Sequence, residues 1–219
     1  MRPRLLDLCC SAGGAAMGYH RAGFDVLGVD VADQPHYPFE FVKADAVTFP
    51  LEGFDAIHAS PPCQGYSYMS NCRPGLAAEY AQLIDVIRPR LIASGVQWVI
   101  ENVEGSGLAT QSDFFGANGL VLCGSMFGLP LYRHRLFETS SPVRPPHHPR
   151  HLIPASKAGH WEPGTIISVA GNCSPIALAR EAMGGIDWMT RDELAESIPP
   201  AFTKYLGGAL MAKLEARAA

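Results

Sequence analysis

Over the first sixty residues, short apolar runs alternate with glycine-punctuated or helical segments, and this alternation restricts the possible folds more than any other feature of the chain. It is the pattern of a parallel sheet whose strands are joined by crossover helices. Strands are expected near Arg4 to Leu8, Asp25 to Val29, Glu40 to Lys43 and Ala56 to Ala59, each short and bounded by turn formers or acids. A helix from Gly14 to Arg21 links the first two, with Gly23 placed to cap it. Farther on, Leu76 to Ala93 carries Leu83, Ile84, Ile87, Leu91 and Ile92 at helical spacing, with Pro89 inside and Gly95 as a stop. Gln97 to Ile100 reads as a buried strand, and Gly119 to Cys123 with Arg133 to Phe137 as a strand pair at the far edge. The chain resumes as a helix over Ala201 to Ala218, with Pro200 near its first turn. The fold class expected is α/β, a mostly parallel sheet with helices on both faces.

A chain of 219 residues fits one ordinary domain, which at this size buries about 70% of the surface exposed by the unfolded chain. Hydrophobic residues at 47% and charged residues at 17% make a folding composition, not a disordered one. Three segments are expected: a core over 1–139, a Pro/His-rich insert over 140–164, and a stretch over 165–219 that completes the core. No apolar run approaches the ~20 residues of a membrane span, and no basic-then-apolar leader is visible at the N-terminus, so a cytoplasmic protein is expected. Six cysteines without a C-x-x-C pair argue for free thiols instead of a disulfide framework. The net charge of −4 opposes nucleic-acid binding, but the distribution favours it. From Tyr132 to His160 the chain holds Arg133, Arg135, Arg144, Arg150 and Lys157 against the single acid Glu138, together with five of the eight histidines.

Two segments carry chemistry. Asp7-Leu8-Cys9-Cys10-Ser11-Ala12-Gly13-Gly14 follows a strand and opens a helix. Free backbone N–H groups and small residues there suit an adenosine-type ligand, although a ligand-free tight turn needs the same residues. Asp30 ends the second strand, where an acid accepts ribose hydroxyls. Asp45 after the third strand is either a partner for the adenine amino group or a loop acid in solvent. The second segment, Ser60-Pro61-Pro62-Cys63-Gln64-Gly65-Tyr66-Ser67, ends the fourth strand, at the edge where parallel sheets place their sites. A cysteine stiffened by two prolines on a polar loop is better suited to nucleophilic attack than to packing.

These blocks resemble the cytosine-5 DNA methyltransferase family, in order along nearly the whole chain. The Asp7 to Gly14 segment is similar to its cofactor loop, and Pro62-Cys63-Gln64 to its nucleophile motif. Glu101-Asn102-Val103 resembles its Glu-Asn-Val motif, Arg133-His134-Arg135 its paired arginines, and Ile198 to Gly207 its closing block. The resemblance implies a Rossmann-like S-adenosylmethionine-dependent methyltransferase fold. It implies a cofactor site at Cys9, Ser11, Ala12, Gly13, Gly14, Asp30, Val31, Asp45, Ala46 and Pro61. It also implies that the Cys63 thiolate adds to carbon 6 of cytosine while Glu101 donates to ring nitrogen 3, and that Arg133 and Arg135 hold the base oxygen and a phosphate. Gln64, Tyr66, Ser67, Arg73 and Asn102 would contact substrate. A base within a duplex must be flipped out for this chemistry, and the loop from Gln64 to Gly75 is a candidate to close over the opened site.

The chain departs from the family pattern in several places. Cys9 stands where the family has Phe and Ser11 where it has Gly. Leu131 replaces the Gln before the arginine pair, and Pro200-Ala201 a Gly-Asn pair. Only the stretch from Ser140 to Gly164 occupies the place of the target-recognition domain, and it is too short for its own core. The resemblance is therefore to a compact form with weak or very short sequence specificity, or with recognition supplied by a partner or by self-association. Methylation of RNA or a free nucleotide, and a non-catalytic nucleic-acid-binding relative, remain as alternatives, as do restriction protection and regulation as roles. His147, His148 and His151 are not expected to bind metal, because prolines prevent the helix that would align them and no nearby thiols complete a tetrahedral set. Positive charge near phosphate is expected of them instead.

Overall fold

In β1 (Arg4–Leu8) successive side chains leave the backbone on opposite sides, so Leu5 enters one apolar cluster while Leu6 and Leu8 enter another. That two-sided burial is the mark of a central parallel strand, and each leucine so buried contributes about 1.5–3 kcal/mol. The computed structural model describes residues 1–62, 83–104 and 118–218. Among these, β1 is joined by β2 (Asp25–Asp30), β3 (Glu40–Lys43), β4 (Ala56–Ala59), β5 (Gln97–Asn102), β6 (Asn118–Leu122) and β7 (Arg135–Thr139), in the sheet order β3-β2-β1-β4-β5-β7-β6. The first five strands in that order are parallel; β7 runs antiparallel to both its neighbours, so β6 at the edge points the same way as the first five. Helices α1 (Gly14–Ala22) and α5 (Pro200–Ala218) pack on one face through Ala15, Ala16, Tyr19, Phe202 and Leu206. The opposite face is covered by α2 (Leu83–Ser94) through Ile84, Ile87 and Leu91.

Several elements differ from the sequence reading. The strand expected to stop at Ile100 continues to Asn102, because Glu101 and Asn102 pair with Phe137 and Leu136 of β7. The last strand begins at Arg135, not Arg133. The Arg133 side chain is buried and donates to the carbonyls of Val169 and Ala195, instead of standing on a strand surface. Two short helices, α3 (Ile176–Ala182) and α4 (Arg191–Glu196), surround a third apolar cluster that includes Ile167, Val169, Met183 and Leu194 and reaches Ala12 and Leu131. Of these, α4 starts at the Thr190 cap, whose hydroxyl accepts from Glu193 N. The Pro-rich stretch from Ser140 to Gly164 forms no helix or strand and has only the bridges Ala155 to Ile166 and Lys157 to His160.

Charge is also redistributed by folding. Glu138, the single acid of the basic stretch, is buried and takes a bidentate contact from Arg88 of α2, with Nε 3.0 Å from both oxygens and Nη2 2.7 Å from Oε2. With Arg133 buried as well, Arg144, Arg150 and Lys157 are the exposed cations of that stretch. The expectation that the histidines lack a thiol does not hold. Antiparallel pairing sets Leu122 against Arg135, which brings Cys123 opposite His134, and the insert returns His148 and His151 to the same corner. Cys9, Cys10, Cys123 and Cys173 are free, and no helix among the described residues is long and apolar enough to cross a membrane.

Candidate active site

At the C-terminal end of β1 the chain must turn sharply into α1, and it does so with Cys9, Ser11 and Gly13 all in the left-handed region, at φ of 55°, 46° and 84°. Such conformations are costly for residues with a Cβ and persist only where the surroundings hold them. Here Cys10 N donates to Val29 O at 3.2 Å and Ser11 N to Asp30 Oδ2 at 3.0 Å. The second oxygen of Asp30 accepts from Ala32 N at 3.0 Å, so this carboxylate ties the loop after β1 to the loop after β2.

Gly13 and Gly14 are also closely packed by the rest of the chain. A Cβ on Gly13 would meet Pro38 Cδ at 2.8 Å, and one on Gly14 would stand 1.9 Å from Ser197 Oγ. Their size serves internal packing, which lets the segment before α5 lie over the loop. Trp188 fixes the same loop from the other side, donating from Nε1 to Ala12 O at 2.9 Å.

A cleft of about 230 Å³ opens between these elements. It is lined by Cys9, Ser11, Ala12 and Gly14 of the loop, by Ser60 and Pro61 after β4, by Glu101 and Arg135, and by Ala195 to Ile198. Glu101 is 6% exposed, and Arg135 Nε lies 2.9 Å from its Oε1. The neighbouring strand residue, Asn102, is buried and donates from Nδ2 to Pro61 O at 3.0 Å. The Glu-Asn-Val segment thereby holds the first residues of the Pro-Pro-Cys segment beside the carboxyl.

The sequence-predicted residues thus divide. Cys9, Ser11, Ala12, Gly14, Pro61, Glu101 and Arg135 share one cleft, whereas Arg133 does not line it and donates to the carbonyls of Val169 and of Ala195, the latter in the cleft wall. Gly13, Asp30, Val31, Asp45 and Ala46 do not line it. Val31 is 74% exposed at the end of β2, Ala46 is buried, and Asp45 is exposed with Oδ1 accepting from Val47 N at 2.8 Å. Cys63, Gln64, Tyr66, Ser67 and Arg73 lie outside the described residues.

Burial, then the charges of Asp30, Asp7 and Asp45, push the Cys9 thiol up to about 12. Cys10 is pushed higher still by burial and then Asp7. Sequence reasoning missed a polar pair beneath the cleft. Asp7 and His58 are fully buried on adjacent strands, with His58 Nδ1 2.8 Å from Asp7 Oδ1 and Ser60 Oγ 3.4 Å from His58 Nε2. An ionisable residue inside each of two neighbouring apolar strands was the available signal. Trp188 and the Ala195–Glu196 wall had no comparable one.

The layered architecture is a Rossmann-like α/β fold. The same fold occurs in the Dnmt2 methyltransferase of S. pombe, which superposes over 97% of this chain and 99% of that one with a TM-score of 0.61 at 15% identity. No family model matches the chain. Among curated proteins, it is 25% identical over 171 residues to the Type II methyltransferase M.AgeI of Thalassovita gelatinovora, a match covering 61% of this chain and 38% of the relative. It is 24% identical over 163 residues to the Type II methyltransferase M1.HphI of Haemophilus parahaemolyticus, covering 60% and 44% respectively. The matched regions therefore span less than half the length of these curated relatives.

Proposed function

We propose that the chain transfers a methyl group from S-adenosylmethionine to carbon 5 of cytosine in DNA, through a covalent adduct of Cys63 at carbon 6. The observation that carries this reading is the junction of Glu101, Arg135 and Asn102 with Pro61: a buried carboxyl, oriented by a guanidinium, beside the segment that leads two residues later to Cys63. The Type II methyltransferase relatives support DNA as the substrate.

The cleft suits the cofactor. Its floor is backbone held open by left-handed residues; next to it, outside the lining itself, the Asp30 carboxylate is held at the end of β2 by Ser11 N and Ala32 N, with the exposed Val31 beside it as an apolar surface for a purine. When bound, S-adenosylmethionine supplies an electrophilic methyl on a sulfonium sulfur. The Cys63 thiolate forms its bond to carbon 6, the carbon 5–carbon 6 double-bond electrons become available at carbon 5, and Glu101 shares a proton with ring nitrogen 3 to hold the charge that accumulates there. Arg135 fixes the Glu101 carboxyl and favours the polarised base. Once carbon 5 carries the methyl, loss of its proton returns the electrons to the ring and expels Cys63.

The product distinguishes this chemistry from amino-group methylation. DNA treated with the protein and labelled cofactor, digested to nucleosides and resolved by mass spectrometry, is expected to contain 5-methyldeoxycytidine. Label only in N4-methyldeoxycytidine or N6-methyldeoxyadenosine would overturn the proposal, as would label confined to RNA in a parallel reaction.

A further inference from the structure

At the corner where β6 ends and β7 begins, Cys123, His134, His148 and His151 each offer one ligand atom, and these atoms all lie within 4.8 Å of one another. Cys123 Sγ lies 3.3 Å from His151 Nε2, and His134 Nε2 lies 3.2 Å from His148 Nε2. A tetrahedral zinc ion with ordinary bond lengths has nitrogen–nitrogen edges of ~3.4 Å and nitrogen–sulfur edges of ~3.6 Å, so both measured edges are near those of a filled site.

The other ring nitrogen of His134, Nδ1, is on the side of Glu104, whose Oε2 lies 3.9 Å away, too far for a hydrogen bond. The ring of His151 is stacked on Tyr132 with centroids 3.7 Å apart. Cys123 is fully buried, while His148 and His151 are exposed, so an ion has an entry path from the solvent side.

We propose that these four residues bind one zinc ion as a Cys-His-His-His site. On binding, the Cys123 thiol releases its proton to solvent and the thiolate and three neutral imidazoles complete a closed tetrahedron, which leaves no open position for catalysis. The site is structural. Two ligands come from the sheet edge and two from the Pro/His-rich insert, which has little regular structure of its own, so the ion clamps the insert to the strand pair. His134 immediately precedes Arg135, and the clamp therefore also fixes the start of the strand that holds Arg135 against Glu101.

The test is metal content of the full chain, purified under reducing conditions, exposed to excess zinc and freed of loose ions by gel filtration. Plasma mass spectrometry is expected to find close to one zinc per chain. His148→Ala and His151→Ala, both at exposed positions, should each lose the bound ion while keeping the far-UV circular dichroism of the parent. His147→Ala and His160→Ala should retain it. Cobalt(II) in place of zinc should give a thiolate charge-transfer band that disappears in Cys123→Ser. Absence of stoichiometric zinc from the parent protein overturns the site, as does full retention of zinc in both His148→Ala and His151→Ala.

Discussion

The seam between α1 and α5 makes one alanine substitution destabilising and another, chemically identical, stabilising. A Cβ added at Gly18 would stand 1.9 Å from Thr203 Oγ1, 2.3 Å from Pro200 O and 2.7 Å from Lys204 N. Two of these neighbours are backbone atoms, so relief requires α5 itself to move. Thr203 is fully buried and donates to Ala15 O at 2.8 Å, a bond that such movement breaks. Overpacking of this kind costs about 1–3 kcal/mol and the lost hydrogen bond about 1 kcal/mol, while alanine in place of a helical glycine returns about 1 kcal/mol. The net loss is about 1–3 kcal/mol, which for a domain of this size lowers Tm by roughly 2–12 °C. At Gly208, on α5, an added Cβ meets nothing within 4 Å, so Gly208→Ala keeps only the helical gain and raises Tm by roughly 2–4 °C. Thermal unfolding followed by circular dichroism reads both. Ser197 and Ile198 line the cleft just before α5, so Gly18→Ala is also expected to raise KM for the methyl donor. If Gly18→Ala proved as stable as the parent, the close approach of the two helices would be refuted.

The remaining predictions concern the cleft. Glu101→Gln is expected to reduce turnover about 10²- to 10⁴-fold, the usual worth of a positioned acid–base group, measured by labelled-methyl incorporation. Arg133→Met removes donors to the Val169 and Ala195 carbonyls and should lower stability by about 2–4 kcal/mol in urea unfolding. Arg135→Met should instead act mainly on turnover, because its partner is the Glu101 carboxyl in the cleft. With its thiol at about 12, Cys9 is only ~10⁻⁴ thiolate at pH 8. Iodoacetamide labelling of Cys9, read by peptide mass spectrometry, should therefore rise about tenfold per pH unit between pH 8 and 11. Efficient labelling at pH 8 would contradict the burial argument.

Strand positions on the parallel side were legible because each run is short and bounded by turn formers or acids; β1, β3 and β4 begin and end where the sequence places them, although β3 at the sheet edge is largely exposed while β1 and β4 are buried. The antiparallel edge was harder. Glu101 and Asn102 look like a polar stop, yet they remain in the ladder because Arg135 and the Pro61 carbonyl satisfy their polar groups. Arg133 and Arg135 were indistinguishable in sequence, and only tertiary packing turns one to a structural carbonyl cage and the other to the cleft. The thiol beside the histidines was invisible for the same reason, since Cys123 and His151 are separated by 28 positions. His58 carried a readable signal, a polar residue within an apolar strand, but its partner Asp7 lies 51 positions away.

The measurement closest to the central claim is covalent trapping. DNA carrying 5-fluorocytosine cannot lose the ring substituent that must leave before Cys63 is expelled, so incubation with S-adenosylmethionine should yield a protein–DNA complex stable to boiling in detergent. Peptide mapping should find the link at Cys63, and Cys63→Ser should form none. An adduct that persisted in Cys63→Ser, or methylated cytosine produced by that variant at the parent rate, would contradict the account.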